Sequence, residues 1–86
     1  MKRSKLKIIY DILNYASSER GKTDLMTKSN LSTTQFQKYL PVLLENKLIC
    51  EYLRENNTFT YKTSPRGFEF LNHGSKMEDL IQSKKY

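Results

Sequence analysis

Apolar residues recur at helical spacing near the start of the chain. Residues 5–15 carry two apolar stripes, formed by Leu6, Ile9, Leu13 and Ala16 and by Ile8, Ile12 and Tyr15. This spacing predicts a first helix, with Ser4 as its N-cap. Two stripes make a wide apolar surface, so we expect this helix to be covered on two sides. Gly21 follows the helix as a loop position.

A second and a third helix follow. Residues 23–28 predict a short helix that ends at the Asn30-Leu31 connection. Ser32 and Gln35 match a capping box, in which each side chain binds the other residue's free backbone amide, and predict the start of the third helix. Its apolar stripe consists of Phe36, Tyr39, Leu40, Leu43 and Leu44. Pro41 removes one helical hydrogen bond, so the helix either kinks there or divides in two; the unbroken stripe favours a kink.

The second half of the chain predicts a β-hairpin and a last helix. Residues 48–54 and 58–63 are rich in strand formers, and 55–57 contain two asparagines that tolerate a tight turn. Ser64-Pro65 is typical of a helix start, and helical spacing can continue to about residue 83. Phe68 and Leu71 are expected to contact the preceding domain. A coiled-coil seam for dimerisation is predicted at Phe70, Gly74, Met77 and Ile81. Alternatively, the helix ends at His73-Gly74.

The order of three helices, a β-hairpin and a helix is that of a winged helix-turn-helix protein. The predicted fold class is therefore α+β and mainly α. Residues 1–63 are expected to form a DNA-binding domain, and 64–86 a long dimerisation helix continuous with the same single domain. In this layout the third helix enters the major groove of duplex DNA and the hairpin, or wing, lies beside it.

The charge balance is consistent with a polyanionic partner. The 86 residues include fifteen Lys and Arg against nine Asp and Glu, a net charge of +6. Such an excess attracts nucleic acid, although it could also serve solubility alone. No stretch approaches the roughly 18 apolar residues of a membrane span, and Cys50 has no disulfide partner in the chain. We therefore expect a cytoplasmic, nucleoid-associated protein.

Polar residues that could contact DNA occur in three groups. The start of the third helix supplies hydroxyls, an amide and a cation suited to phosphates and base edges: Ser32, Thr33, Thr34, Gln37 and Lys38. The wing supplies candidate phosphate contacts at Arg54, Asn56, Asn57 and Lys62, opposed by Glu55. The N-terminus supplies Lys2, Arg3 and Lys5, a candidate flexible arm. The alternative for the helix group is an ordinary solvated surface.

Other chemistry is not indicated. His73 and Cys50 are the only residues of their types, which is too few for the usual zinc site, and a buried apolar role is expected for Cys50. The three glycines form no phosphate-binding loop. We predict no enzyme, no cofactor, no metal and no small-molecule substrate. The alternative function is a protein-interaction module, because winged helices also dock proteins.

Four segments resemble a family of small basic archaeal winged-helix DNA-binding proteins. They are residues 4–13 (SKLKIIYDIL), 31–40 (LSTTQFQKYL), 44–49 (LENKLI) and 63–71 (TSPRGFEFL). The resemblance implies a chromatin-associated or regulatory protein that forms a homodimer through an antiparallel coiled coil of C-terminal helices. Pro41 and Gly74 depart from the family pattern, and Gly74 leaves the length of the coiled coil open. Double-stranded DNA is the implied partner.

Overall fold

The computed structural model describes residues 3–73 of the chain. Its elements, in order, are helix α1 (Lys5–Tyr15), strand β1 (Arg20–Gly21), helix α2 (Lys22–Lys28), helix α3 (Thr33–Glu45), strand β2 (Ile49–Arg54), strand β3 (Thr58–Thr63) and helix α4, described over 65–73. A short 3₁₀ turn, Glu55–Asn57, joins β2 to β3. The first three predicted helices and the hairpin are thus confirmed, with β2 one residue shorter than predicted, and the last helix is confirmed as far as residue 73.

The sheet contains a strand that the sequence pattern did not predict. Gly21, expected in a loop, lies in β1, where it pairs with Thr60 while Arg20 pairs with Tyr61. β3 is therefore the central strand, in the antiparallel order β1-β3-β2. The correction matters because β1 anchors the wing hairpin to the connection that follows α1.

The core lies where the three helices meet the base of the hairpin. Its residues are Ile8, Ile12, Leu13, Ala16, Leu25, Leu31, Phe36, Leu43, Ile49 and Tyr61. The rings of Phe36 and Tyr61 meet edge to face, with centroids 6.3 Å apart and planes at 73°. Such aromatic pairs contribute about 0.5–1.5 kcal/mol beyond their buried area. This contact fixes α3 against the wing.

Only one side of α1 is covered within the described residues. Ile12 and Leu13 are fully buried, whereas Leu6 is 63% and Tyr15 39% exposed. The expectation of cover on two sides is therefore wrong for residues 3–73. The buried residues of both predicted stripes lie on one face of α1, and Leu6 and Tyr15 are exposed.

The carbonyl oxygens at the C-terminal end of α1 all accept hydrogen bonds. Two of the donor residues, Arg20 and Thr63, lie beyond the helix and its cap. Thr63 donates its hydroxyl to the oxygen of Leu13 at 2.6 Å and its amide to the oxygen of Ala16 at 2.8 Å. Arg20 donates from Nε to the oxygen of Tyr15. Because helix ends leave such carbonyls without helical donors, these bonds stabilise α1 and join it to β3.

Left-handed residues end α2 and α3. Asn30 has φ 56° and Lys47 has φ 57°. Past α3, the amide of Leu48 donates to the oxygen of Leu43 at 2.9 Å, and the amide of Lys47 to that of Leu44 at 3.1 Å. These are the two bonds of a Schellman motif, here with a lysine where glycine is usual. The same pair of bonds ends α2 at Asn30.

α3 runs as one helix through Pro41. The alternative of two separate pieces is therefore wrong, and the kink at Pro41 stays a prediction. Because proline has no amide hydrogen, the carbonyl oxygen of Gln37 loses its helical donor. Phe36 and Leu43, on either side of this point, are both fully buried, so the apolar stripe holds α3 against the core.

The start of α4 is held by Ser64, as predicted. Its hydroxyl accepts from the amide of Gly67 at 3.0 Å and donates to the oxygen of Lys47 at 2.6 Å. Leu71 packs against the core, as predicted. Phe68, also expected to contact the domain, is 41% exposed, and Phe70, assigned to the dimer seam, packs partly against the core. Gly74, Met77 and Ile81 lie outside the described residues.

Candidate nucleic-acid interface

The N-terminal half of α3 presents a polar surface to solvent. Phe36 and Leu43 anchor the opposite side of the helix in the core, because both are 0% exposed. The outward residues are Thr33, Thr34, Gln37 and Lys38, all exposed. The structure therefore brings these four predicted contacts together on one face. Exposure alone does not distinguish a DNA-reading surface from an ordinary solvated one.

The first turn of α3 is locked by the predicted capping box. The Ser32 hydroxyl accepts from the amide of Gln35 at 3.2 Å, and the Gln35 side chain accepts from the amide of Ser32 at 3.1 Å. Ser32 is thus engaged in capping, which qualifies its assignment as a phosphate contact. Within residues 3–73, no side chain or carbonyl accepts from the amides of Thr33 and Thr34. Free amides at a helix N-terminus favour an anion such as phosphate.

A shallow groove of about 330 Å³ lies between α1 and α3. Its lining combines apolar groups with two cations: Lys5, Ile9, Lys38, Tyr39 and Val42. Lys5, also considered for a flexible arm, begins α1 as the helix prediction required and lines the same groove as Lys38. The two lysines form one positive region along the flank of α3.

Arg3, predicted in the same arm, is held in place. It donates from Nη1 to Asp11 at 2.9 Å and from Nη2 to the backbone oxygen of Asn30 at 2.9 Å. Its guanidinium ties the start of α1 to the turn between α2 and α3. The assignment of Arg3 to a flexible arm is therefore wrong, and its charge is offset by Asp11. Lys2 lies outside the described residues.

The wing carries its predicted polar residues at the tip and on one face. Asn56 and Asn57 have φ 63° and 55° and are exposed in the turn, as the tight-turn prediction required. Side chains alternate across a strand. Since Cys50 pairs with Lys62, and Arg54 with Thr58, Lys62 and Arg54 share a face. Lys62 is exposed.

Arg54 is bound to an acidic residue that does not figure among the predicted contacts. Its Nε and Nη2 each donate to a carboxylate oxygen of Glu19 at 2.6 Å, and Thr60 donates to Glu19 at 2.5 Å. These bonds, Arg54 first, lower the pKa of Glu19 to about 2. Arg54 is therefore already engaged by Glu19, and its assignment as a phosphate contact stays a prediction. A pair 35 positions apart leaves no periodic signal in a sequence.

The other face of the wing ends in an apolar pair. Leu53 and Phe59 are cross-strand partners, 61% and 46% exposed. They follow the same alternation as Tyr61, whose ring contacts Phe36 of α3. The apolar pair therefore continues the core-facing side of the hairpin beyond the core. The sequence pattern predicted these two residues only as strand formers.

Other candidate chemistry is not assembled in residues 3–73. Cys50 is half-buried in β2 and not fully buried as expected. In the same part of the chain, no three His, Cys, Asp or Glu side chains are grouped so that they could hold a metal ion. None of the described helices combines the length and apolar character needed to cross a bilayer.

Three helices and a three-stranded sheet, whose β2–β3 hairpin projects from the core, define a winged-helix domain. The chain belongs to the winged helix-turn-helix family, which matches residues 2–82. No protein of curated function matches it.

Two solved structures share the fold. One is Sso10a-2, a DNA-binding protein from Sulfolobus solfataricus, with a TM-score of 0.83 and 21% identity over 94% of this chain and 84% of that one. The other is a mutant of S. aureus MepR bound to an oligodeoxyribonucleotide, with a TM-score of 0.65 and 13% identity over 94% of this chain. This chain spans 63% of the MepR chain. At these identities, the likeness establishes the fold.

Proposed function

We propose that this protein binds double-stranded DNA, with the N-terminal half of α3 in the major groove and the wing beside it on the backbone. The observation that carries the proposal is the two-sided nature of α3. Phe36 and Leu43 fix one side in the core, while Thr33, Gln37 and Lys38 stand exposed on a capped first turn. Capping is common at helix starts, and here it fixes the orientation of the exposed residues, which a helix that enters a groove requires.

The residue types suit a duplex. Gln37 can make paired contacts with adenine, and Lys38 can donate to guanine or to phosphate. The free amides of the first turn favour phosphate. Lys5 extends the positive surface along the flank of α3. Two relatives in fold, Sso10a-2 and MepR, are a DNA-binding protein and a protein bound to an oligodeoxyribonucleotide, which supports the proposal.

We further propose a homodimer formed through the C-terminal helix, acting as a transcription regulator or a chromatin-associated protein. The predicted seam of Phe70, Gly74, Met77 and Ile81 and the archaeal family resemblance support the dimer. Phe70 packs partly on its own core, so its share in the seam is reduced. A dimer engaging about eight phosphates would show a log-log salt slope near −7. Footprints on genomic DNA separate the roles: discrete pseudo-palindromic sites indicate a regulator, and uniform coverage indicates packaging.

Duplex titration at two salt concentrations, with the oligomer mass measured alongside, tests the proposal. We expect salt-dependent binding that weakens about tenfold or more when Gln37 and Lys38 are both changed to Ala. Lys47→Ala removes the same charge at the opposite end of α3 and serves as the control. Equal binding by wild type and the Gln37/Lys38 variant would show that α3 does not read the duplex.

A protein-docking function is the second candidate, favoured by the exposed Leu53–Phe59 pair on the wing. It predicts no salt-sensitive retention on immobilised duplex DNA. Changing both residues to Ser separates the candidates. DNA binding through α3 would survive the change, whereas docking through the wing would be lost.

A further inference from the structure

We propose that Glu19 and Arg54 form a strap that holds the wing against the α1–β1 connection, with Arg54 as a positioning residue and Lys62 as the phosphate contact of that face. The assignment of roles in DNA binding rests on the proposed function. The strap itself rests only on contacts among the described residues.

Both ionic partners of the strap make more than one hydrogen bond. The Arg54 guanidinium gives two parallel hydrogen bonds to the Glu19 carboxylate, each 2.6 Å long. The carboxylate also accepts from Thr60 of the central strand. Paired, planar contacts of this kind fix orientation as well as distance. Glu19 therefore binds both strands of the hairpin at once, through Arg54 of β2 and Thr60 of β3.

The plane of the guanidinium is also held in place. Its carbon atom lies 4.9 Å from the centroid of the Tyr52 ring, so one face of the group is covered by an aromatic residue of its own strand. Arginine favours this combination of stacking and paired hydrogen bonding. Glu19 thus holds one edge of the Arg54 guanidinium, and the Tyr52 ring covers one of its faces. A phosphate that took over these two hydrogen bonds of Arg54 would have to displace the Glu19 carboxylate.

The charges of the strap cancel. Arg54 and Glu19 together carry no net charge, so the intact pair neutralises little phosphate charge and releases few counterions from a duplex. Lys62 shares this face of the hairpin, is exposed and forms no ion pair within residues 3–73. Phosphate neutralisation on this face therefore falls to Lys62.

The roles of Lys62 and Arg54 can be distinguished by experiment. In duplex titrations over a range of salt concentrations, Lys62→Gln should reduce the magnitude of the log-log slope by about 0.9. Arg54→Gln should leave the slope unchanged and weaken binding several-fold by loosening the wing. Glu19→Gln should weaken binding to a similar extent, and the double variant no further, because both changes break one strap. Glu55→Gln, which removes an acid at the wing tip, should instead strengthen binding.

Two results would overturn the proposal. One is a slope that falls by about 0.9 in Arg54→Gln; the other is tighter binding by Glu19→Gln, as expected if Glu19 only competes with DNA for Arg54. Amide hydrogen exchange on the free protein tests the strap without DNA. Glu19→Gln should accelerate exchange in β2 and β3 and leave the core of α1 unchanged. If wild type shows no salt-dependent binding, the proposed function fails, and exchange alone decides the strap; unaltered exchange would refute it.

Discussion

Gly67 lies against the carbonyl oxygen of Leu48 so closely that a Cβ atom on Gly67 would stand 2.1 Å from that oxygen. The side chain of Thr63 would be 2.6 Å away. The obstacle is backbone, which cannot rotate aside like a side chain. The first turn of α4 is therefore able to seat on the end of α3 and the start of β2 only because position 67 has no side chain.

Gly67→Ala should lower the free energy of unfolding by about 3 kcal/mol, because the added methyl group forces α4 away from Leu48. Gly21→Ala is the control: nothing lies within 4 Å of the position its Cβ would occupy, and its effect should stay under about 1 kcal/mol. Urea denaturation followed by circular dichroism measures both. Equal effects at the two glycines would contradict the close approach.

Lys47→Gly should raise the stability of the protein. Lys47 holds φ 57° in the Schellman motif that ends α3, a conformation that costs a non-glycine residue about 1 kcal/mol. Glycine adopts it without that cost and retains the backbone hydrogen bonds. Asn30→Gly provides the comparison, since asparagine tolerates positive φ better and should gain less. A midpoint of chemical denaturation that falls in Lys47→Gly would refute this account.

Ser32→Ala should cost about 1 kcal/mol of stability, because it removes the cap of α3 and leaves the amide of Gln35 unpaired. Thr34→Ala, two residues further on, removes an exposed hydroxyl without a hydrogen bond within residues 3–73. Thermal unfolding should therefore separate the two variants. If both lose the same stability, the capping box does not stabilise the start of α3.

Acid should weaken the wing through Glu19. The hydrogen bonds from Arg54 and Thr60 lower the pKa of Glu19 from 4.5 to about 2 in the fold, so its contribution is present above pH 4.5 and is lost as pH falls toward 2. Over this pH range the midpoint temperature of thermal unfolding should fall more steeply in wild type than in Glu19→Gln. Glu55→Gln should keep the wild-type steepness, and parallel curves for wild type and Glu19→Gln would contradict the prediction.

Alkali should act through Tyr61. Burial, with a hydrogen bond to the Glu51 carboxylate at 2.9 Å, raises the pKa of Tyr61 to about 12. Because the neutral phenol is favoured in the fold, its contribution is present below pH 10 and is lost as pH rises from 10 to 12. Tyr61→Phe should remove the tyrosinate step near pH 12 in ultraviolet absorbance. The pKa of Tyr52 is also raised, so Tyr52→Phe is the control that should retain this step, and loss of the step in that control would assign it to Tyr52.

Local pattern predicted most of the fold. The bounds of α1, the caps at Ser4, Ser32 and Ser64, and the turn of the hairpin all depend on residues within four positions of one another. Those interactions leave a readable signature. The polar face of α3 was also predictable, because helical spacing separates it from Phe36 and Leu43.

Long-range pairing was not predictable. β1 has only two residues, and its pairing with Thr60 and Tyr61 spans about half the chain, so no periodicity marks it. The Glu19–Arg54 bond is invisible for the same reason. The exposure of Phe68 and the partial burial of Phe70 also depend on how α4 sits against the core, and the close approach of Gly67 to Leu48 helps to set that position.

The two hydrogen bonds from Thr63 to α1 have a structural consequence. Its hydroxyl and amide donate to the carbonyl oxygens of Leu13 and Ala16, so the central strand of the wing is joined directly to the C-terminal end of the first helix. The same helix carries Lys5 into the lining of the groove beside α3. The orientation of the wing and that of the groove are therefore set by one shared helix.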